Sequence, residues 1–283
     1  MRILDCKKAW LAALCCILII LPGAVYSDSK QELPELKKGV IDLRSWDFSQ
    51  KGPIKLEGEW EFYWRDFLVS SDTKPLQRKH DGYVKVPDNW QNYKLDTGIK
   101  PTSTGFGTYK IKIYLPEQKS KYRIYLRHAA TAHRLYMKRS DGGVAVLGGN
   151  GIPGTSEETT NPSFLPFSVD FDASGEIELI WEVSNFHHFL GGIRFLPILG
   201  QGSEVEAYAG MNINYLVLGA ILIVCLFNLL LYLFHRDEKT SAWLALSGVF
   251  ISLLMIIEKG MFYHSVKVYD GSLILYDIIA KLF

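Results

Sequence analysis

The sequence predicts a mainly β sandwich followed by transmembrane α-helices, and three observations carry that prediction. The middle of the chain alternates polar and apolar residues with a period of two. Its alternating segments are short and are separated by Gly, Pro, Asn and Asp clusters. The longest unbroken apolar runs lie instead toward the two ends of the chain. Over 283 residues, 31 Lys plus Arg balance 30 Asp plus Glu. Such a balance leaves no electrostatic footprint for nucleic acid, so that class of partner is excluded. At 48% hydrophobic and 22% charged residues, the chain is not disordered either.

The first apolar block follows Arg2, Lys7 and Lys8 and runs from Ala9 to Leu21, where Pro22 and Gly23 break it. A basic start, a short apolar core and small residues near Ser27 predict a signal peptide over residues 1–27, cleaved after Ser27. The run is shorter than the ~20 residues a bilayer core requires, and an uncleaved anchor is the competing reading. Cys15 and Cys16 sit inside the apolar core rather than after it, which argues against a lipoprotein. With Cys6, Cys15 and Cys16 in the leader and Cys225 in a later apolar run, residues 28–210 contain no cysteine. An exported domain without disulfides suits a bacterial envelope.

Within residues 28–210 the alternation places strands at Ile54–Tyr63, Tyr83–Val86, Thr108–Leu115, Tyr122–Arg127, Arg134–Met137, Val144–Leu147, Phe164–Phe171, Glu176–Val183 and Ile193–Leu199. Tyr109, Ile111 and Ile113 share one face of their strand; Ile177, Leu179, Trp181 and Val183 share another. Many short strands with no convincing helix between them indicate an antiparallel sandwich. Trp60 and Trp181 fall at strand-interior positions and are assigned to the core. Trp90, which follows Pro87-Asp88-Asn89, either stacks on a sugar ring or plugs the edge of the sandwich.

Residues 211–283 form the membrane region. Tyr215–Phe234 carries no charge, a short polar loop holds His235 to Lys239, and Ala242–Ile257 is a second uncharged run. Two such helices, at about 215–234 and 242–257, read as a membrane hairpin. No Lys or Arg lies between Pro197 and Asn214, whereas Arg236 and Lys239 flank the connecting loop. By the positive-inside bias that loop is cytoplasmic, and residues 28–210 face the periplasm from the inner membrane. Ser272–Phe283, apolar but for Asp277 and Lys281, begins a third helix from about 272 that is cut short. Asn228 in the first span is expected to hydrogen-bond a neighbouring helix.

Several segments come in a definite order: Gly58-Glu59-Trp60-Glu61-Phe62-Tyr63-Trp64, Val86-Pro87-Asp88-Asn89-Trp90, Gly107-Thr108-Tyr109, Ala132-His133-Arg134-Leu135-Tyr136, and Ser184-Asn185-Phe186-His187-His188 before Gly191-Gly192. Taken together they resemble the periplasmic galactose-binding-like jelly roll that precedes the membrane bundle of bacterial seven-transmembrane receptors with diverse intracellular signalling modules (7TMR-DISM). The first half also resembles the sugar-binding sandwich of family 2 glycoside hydrolases. The resemblance implies the sensory part of a signalling receptor. Its partners would be a small-molecule ligand, often carbohydrate, the lipid bilayer and a cytoplasmic kinase or cyclase. Two spans and a stub without an effector depart from that pattern; the chain is then a truncated receptor or signals through a separate protein. The alternative is a membrane-tethered carbohydrate-binding or adhesion module.

Chemistry weighs against an enzyme at this stage. His187 and His188 point to opposite faces of an extended segment and cannot readily share one metal ion. Glu57, Glu59 and Glu61 lie in a row on one strand, whereas a glycosidase needs two carboxyls across a cleft. Gly148-Gly149-Asn150-Gly151 reads as a flexible turn with no helix after it to hold a phosphate. No cofactor is implied. The candidate ligand-binding residues are Trp90, Asn185, His187 and Arg194; Asn185 is also suited to closing a turn.

Overall fold

The computed structural model describes residues 33–70, 78–202, 204–208, 211–237 and 239–259. The expected signal peptide and third helix lie outside these residues. Eleven strands form two sheets: β1 (Val40–Asp42), β2 (Ile54–Lys55), β3 (Gly58–Trp64), β4 (Gly82–Val86), β5 (Gly105–Tyr114), β6 (Ser120–Leu126), β7 (Ala132–Arg139), β8 (Val144–Asn150), β9 (Phe167–Ala173), β10 (Glu176–Asn185) and β11 (Ile198–Gly200). One sheet runs β4-β3-β5-β10-β7-β8, with β1 parallel to the later part of β5; the other runs β2-β11-β6-β9. They pack face to face as an open sandwich, not a closed barrel, around one core that both supply.

The period of two sets that core. Tyr109, Ile111 and Ile113 of β5 point inward, as do Ile177, Leu179, Trp181 and Val183 of β10, and all are buried. Tyr122, Ile124 and Leu126 of β6 with Phe167 and Phe171 of β9 face them from the other sheet. Trp60 and Trp181 meet at the centre with ring centroids 6.3 Å apart, and Trp60 Nε1 donates to the Leu56 carbonyl at 3.1 Å. The outer face of β10 is buried too. Val69 and Ser70 donate their backbone N–H groups to Oε1 of Glu182, at 2.7 and 3.0 Å, which straps the segment after β3 across the sheet.

Three segments differ from the sequence expectation, each for a local reason. Ile54–Tyr63 is not one strand, because the chain leaves one sheet after β2 and enters the other at β3. Ile193–Leu199 is ordered as a strand only from Ile198, after Pro197, whose carbonyl accepts from Leu56 N. Gly148, Gly149 and Asn150 belong to β8 and are no free turn; a register shift opposite Leu135 and Tyr136 accommodates them.

Beyond β11 a one-turn helix, Glu204–Tyr208, buries Val205 against Tyr125 and Ile198. Two long helices follow, α1 (Met211–Phe234) and α2 (Lys239–Lys259), both long and apolar enough to cross a membrane. Ile223, Leu226, Trp243 and Phe250 are exposed, as suits apolar side chains of a candidate membrane span. The helices pack on a small-residue stripe, Ala245, Gly248 and Ser252, against Cys225 of α1. A side chain at Gly248 would collide with the Cys225 sulfur, so the close approach requires glycine. Asn228 does not reach the neighbouring helix: its Nδ2 donates to the Val224 carbonyl one turn earlier, at 2.9 Å.

Candidate functional site

Strand direction sorts the connections into two ends. At one end β5–β6, β7–β8 and β9–β10 are joined by short turns beside Tyr114, Arg139 and Glu176. At the other, where Gly105 pairs with Asn185 and His133 with Asn150, three long connections, 87–104, 151–166 and 186–197, gather with the shorter 127–131. All four expected ligand residues belong to this long-loop end.

The structure gives them unequal roles. Trp90 is fully buried: its ring packs against Trp64 with centroids 5.0 Å apart and its Nε1 donates to the Ser103 carbonyl at 3.1 Å. As folded it offers no face to a sugar, and it plugs the sandwich end. Gly191 makes that possible, since a Cβ there would collide with the indole. Asn185 is fully buried as well. Its Nδ2 donates to the carbonyls of Ser103 (2.8 Å) and His188 (2.7 Å), and its Oδ1 accepts from His188 N (3.1 Å), which closes the turn after β10. Gln91 adds a clamp, donating to Phe189 O and accepting from Gly191 N. His187 and Arg194 remain nearer the surface; His187 Nδ1 and Arg194 Nη1 are each buried without a hydrogen-bond partner.

Two further histidines, not singled out from the sequence, stand beside them. His128 is buried; its ring contacts Phe195 (centroids 4.5 Å apart) and Phe164 (5.2 Å), and its Nδ1 has no partner. Burial, followed by the nearby positive charges of Arg194 and Arg127, pushes its pKa down to about 3. His133 is fully buried; Trp181 Nε1 donates to its Nδ1 at 3.0 Å, leaving Nε2 without a partner. Burial lowers its pKa to about 3 too. The sequence signal for His128 was available: it follows the alternating strand Tyr122–Arg127 at once, where the chain enters a loop.

The short-turn end holds the clearer concavity. A cleft of about 510 Å³ opens between the sheets there. Met137, Leu147, Phe171, Ala173 and Ile177 give it apolar walls, and Lys119, Arg139, Asp141, Asp172 and Glu176 line it with charge. Lys119 pairs with Asp172 at 3.5 Å and Arg139 with Asp141 at 3.6 Å, all four more than half exposed. None of these charged residues stood out from the sequence.

No family model matches the chain, and no curated protein matches it. Among solved structures the chain is similar to a GH2 β-galacturonidase from Eisenbergiella tayi, at 17% identity and a TM-score of 0.35, over 53% of this chain and 24% of that one. It is also similar to a β-glucuronidase from Ruminococcus gnavus, at 14% identity and a TM-score of 0.38, over 53% of this chain and 28% of that one. The chain thus spans less than a third of the length of either. These findings correct two expectations. The signalling receptor, with its kinase or cyclase partner, is supported by no family model and no curated protein, and the similar solved structures named above are glycosidases. The exclusion of an enzyme is withdrawn with it; both of these similar structures are glycosidases.

Proposed function

We propose that the sandwich is a carbohydrate-binding module of jelly-roll type, tethered to a membrane by the hairpin of α1 and α2. The observation that carries this reading is the cleft at the short-turn end. Its volume, about 510 Å³, falls in the range of small-molecule sites, roughly 300–1,000 Å³. A sugar ring presents an apolar C–H face and a rim of hydroxyls. Leu147, half-buried at the cleft, suits the first, while Asp141, Asp172 and Arg139 offer acceptors and donors for the second. The hairpin places both ends of the pair on one side of the bilayer, and Arg236 in its connection favours the cytoplasmic side. The sandwich then stands outside the cytoplasm, with the module spanning 28–210 and the membrane region 211–283.

Titration of the full chain in detergent with a panel of neutral mono- and disaccharides tests the proposal. Saturable binding is expected, weakened about tenfold by the double variant Asp141→Ala with Asp172→Ala, as the loss of one or two charge-assisted hydrogen bonds predicts. Binding that the double variant leaves unchanged would remove the cleft from the site, and no binding across the panel would end the proposal.

A further inference from the structure

Arg194 is a half-buried cation whose Nη1 is buried without a hydrogen-bond partner among the described residues. Its guanidinium carbon lies 5.8 Å from the ring centroid of Phe195. The same ring carries the Arg127 guanidinium at 4.7 Å and the imidazole of His128 at 4.5 Å. Two guanidiniums and one imidazole therefore surround a single phenyl group. Of these, Arg194 Nη1 and His128 Nδ1 are both shielded from solvent and both unsatisfied. Unsatisfied buried donors are rare in native proteins, and a half-buried charge without a counter-charge is unfavourable. An anion seated between them would partner both at once, with the His128 proton on Nδ1.

We infer that the long-loop end is an anion site, in which a carboxylate is held by Arg194 and the Nδ1 hydrogen of His128, and that its ligand is a carboxylate-bearing sugar. The guanidinium edge matches a planar carboxylate, and a neutral His128 with its proton on Nδ1 supplies a further donor. Phe164 beside His128 and the exposed Phe189 beside His188 provide apolar faces for a sugar ring. The site lies at the opposite end from the cleft and goes beyond the reading given above; it stands or falls on its own residues.

Calorimetric titration of the full chain in detergent with glucuronate, galacturonate, glucose, sodium acetate and inorganic phosphate tests it. Saturable binding of at least one uronate is expected, tighter than that of acetate or phosphate. Arg194→Ala should weaken that binding at least tenfold, and Arg194→Lys by less, because the charge is kept while the fork is lost. His128→Phe, which preserves ring volume, keeps the test decisive if Arg194→Ala fails to fold, and should weaken uronate binding severalfold. The cleft variants at Asp141 and Asp172 should leave it unchanged. Three results would overturn the inference: uronate affinity equal in wild type and Arg194→Ala, phosphate or acetate binding as tightly as either uronate, or no uronate binding. Neutral-sugar binding that survives Arg194→Ala leaves the cleft proposal standing while this one is judged.

Discussion

The two ends of the sandwich are built on opposite principles. At the short-turn end the strands close in a few residues, charged side chains stay in solvent, and a cleft is left between the sheets. At the long-loop end four connections fill the opening with rings and buried polar groups, so that Trp90, Asn185, His128 and His133 are all withdrawn from solvent. Turn length explains the difference. A tight hairpin has too few residues to fold back over the core, whereas a loop of ten or more can bury its own side chains against it. The lesson is that a concave end and a chemically loaded end need not coincide.

Truncations at the two ends should break this comparison first, and most strongly at Trp90. Removing a buried indole that packs on Trp64 should destabilise the fold by about 3–5 kcal/mol. A chemical-denaturation midpoint measured on Trp90→Ala checks it. An unchanged midpoint with altered sugar binding would instead restore Trp90 as a ligand contact.

Acid is the next probe. His128 and His133 have folded-state pKa values near 3, below the ~6.5 of an unfolded histidine, so the unfolded chain takes up these protons first. Stability is then level above about pH 6.5 and falls as pH drops from there toward 3, by about 1.4 kcal/mol per pH unit for each group. Thermal melts at pH 7, 6, 5 and 4 should show this slope, and His128→Phe should reduce it. Equal slopes in wild type and variant would mean that His128 is not held neutral by the fold.

Asn185→Ala should destabilise by about 1–2 kcal/mol, because the His188 N–H and two carbonyls lose their partner in a buried turn. Proteolysis within 186–197 should quicken in parallel. At the other end, Arg139→Ala removes an exposed ion pair and should change stability by less than about 1 kcal/mol. A larger loss would show that the cleft rim supports the fold and is not held in reserve for a ligand.

How much of this was legible depends on which forces decide each feature. The strand of Thr108–Leu115 was readable because alternating Lys with Ile and Tyr allows only one face to be buried. The membrane helices were readable because twenty uncharged residues exclude most alternatives. The split of Ile54–Tyr63 was not, since no local pattern records that a chain changes sheets between Leu56 and Gly58. The candidate site was legible only in part. Arg194 and His187 belong to the loop that follows the alternating strand Glu176–Val183, and the sequence marks where that alternation stops. That Trp90 faces inward depends on Gly191, 101 residues away, and His128 acquires its meaning only when Phe195 and Arg194 fold across it.

The sequence by itself determined the sandwich of alternating strands, the apolar pair of helices after it and the residues that fill the core. Those follow from period and composition, which act within a few residues along the chain. Tertiary structure alone decided which end opens as a cleft, which aromatic rings close the other, and where buried polar atoms are left without partners. Burial and hydrogen-bond satisfaction are properties of surroundings, and those surroundings are assembled from segments that only the fold brings together.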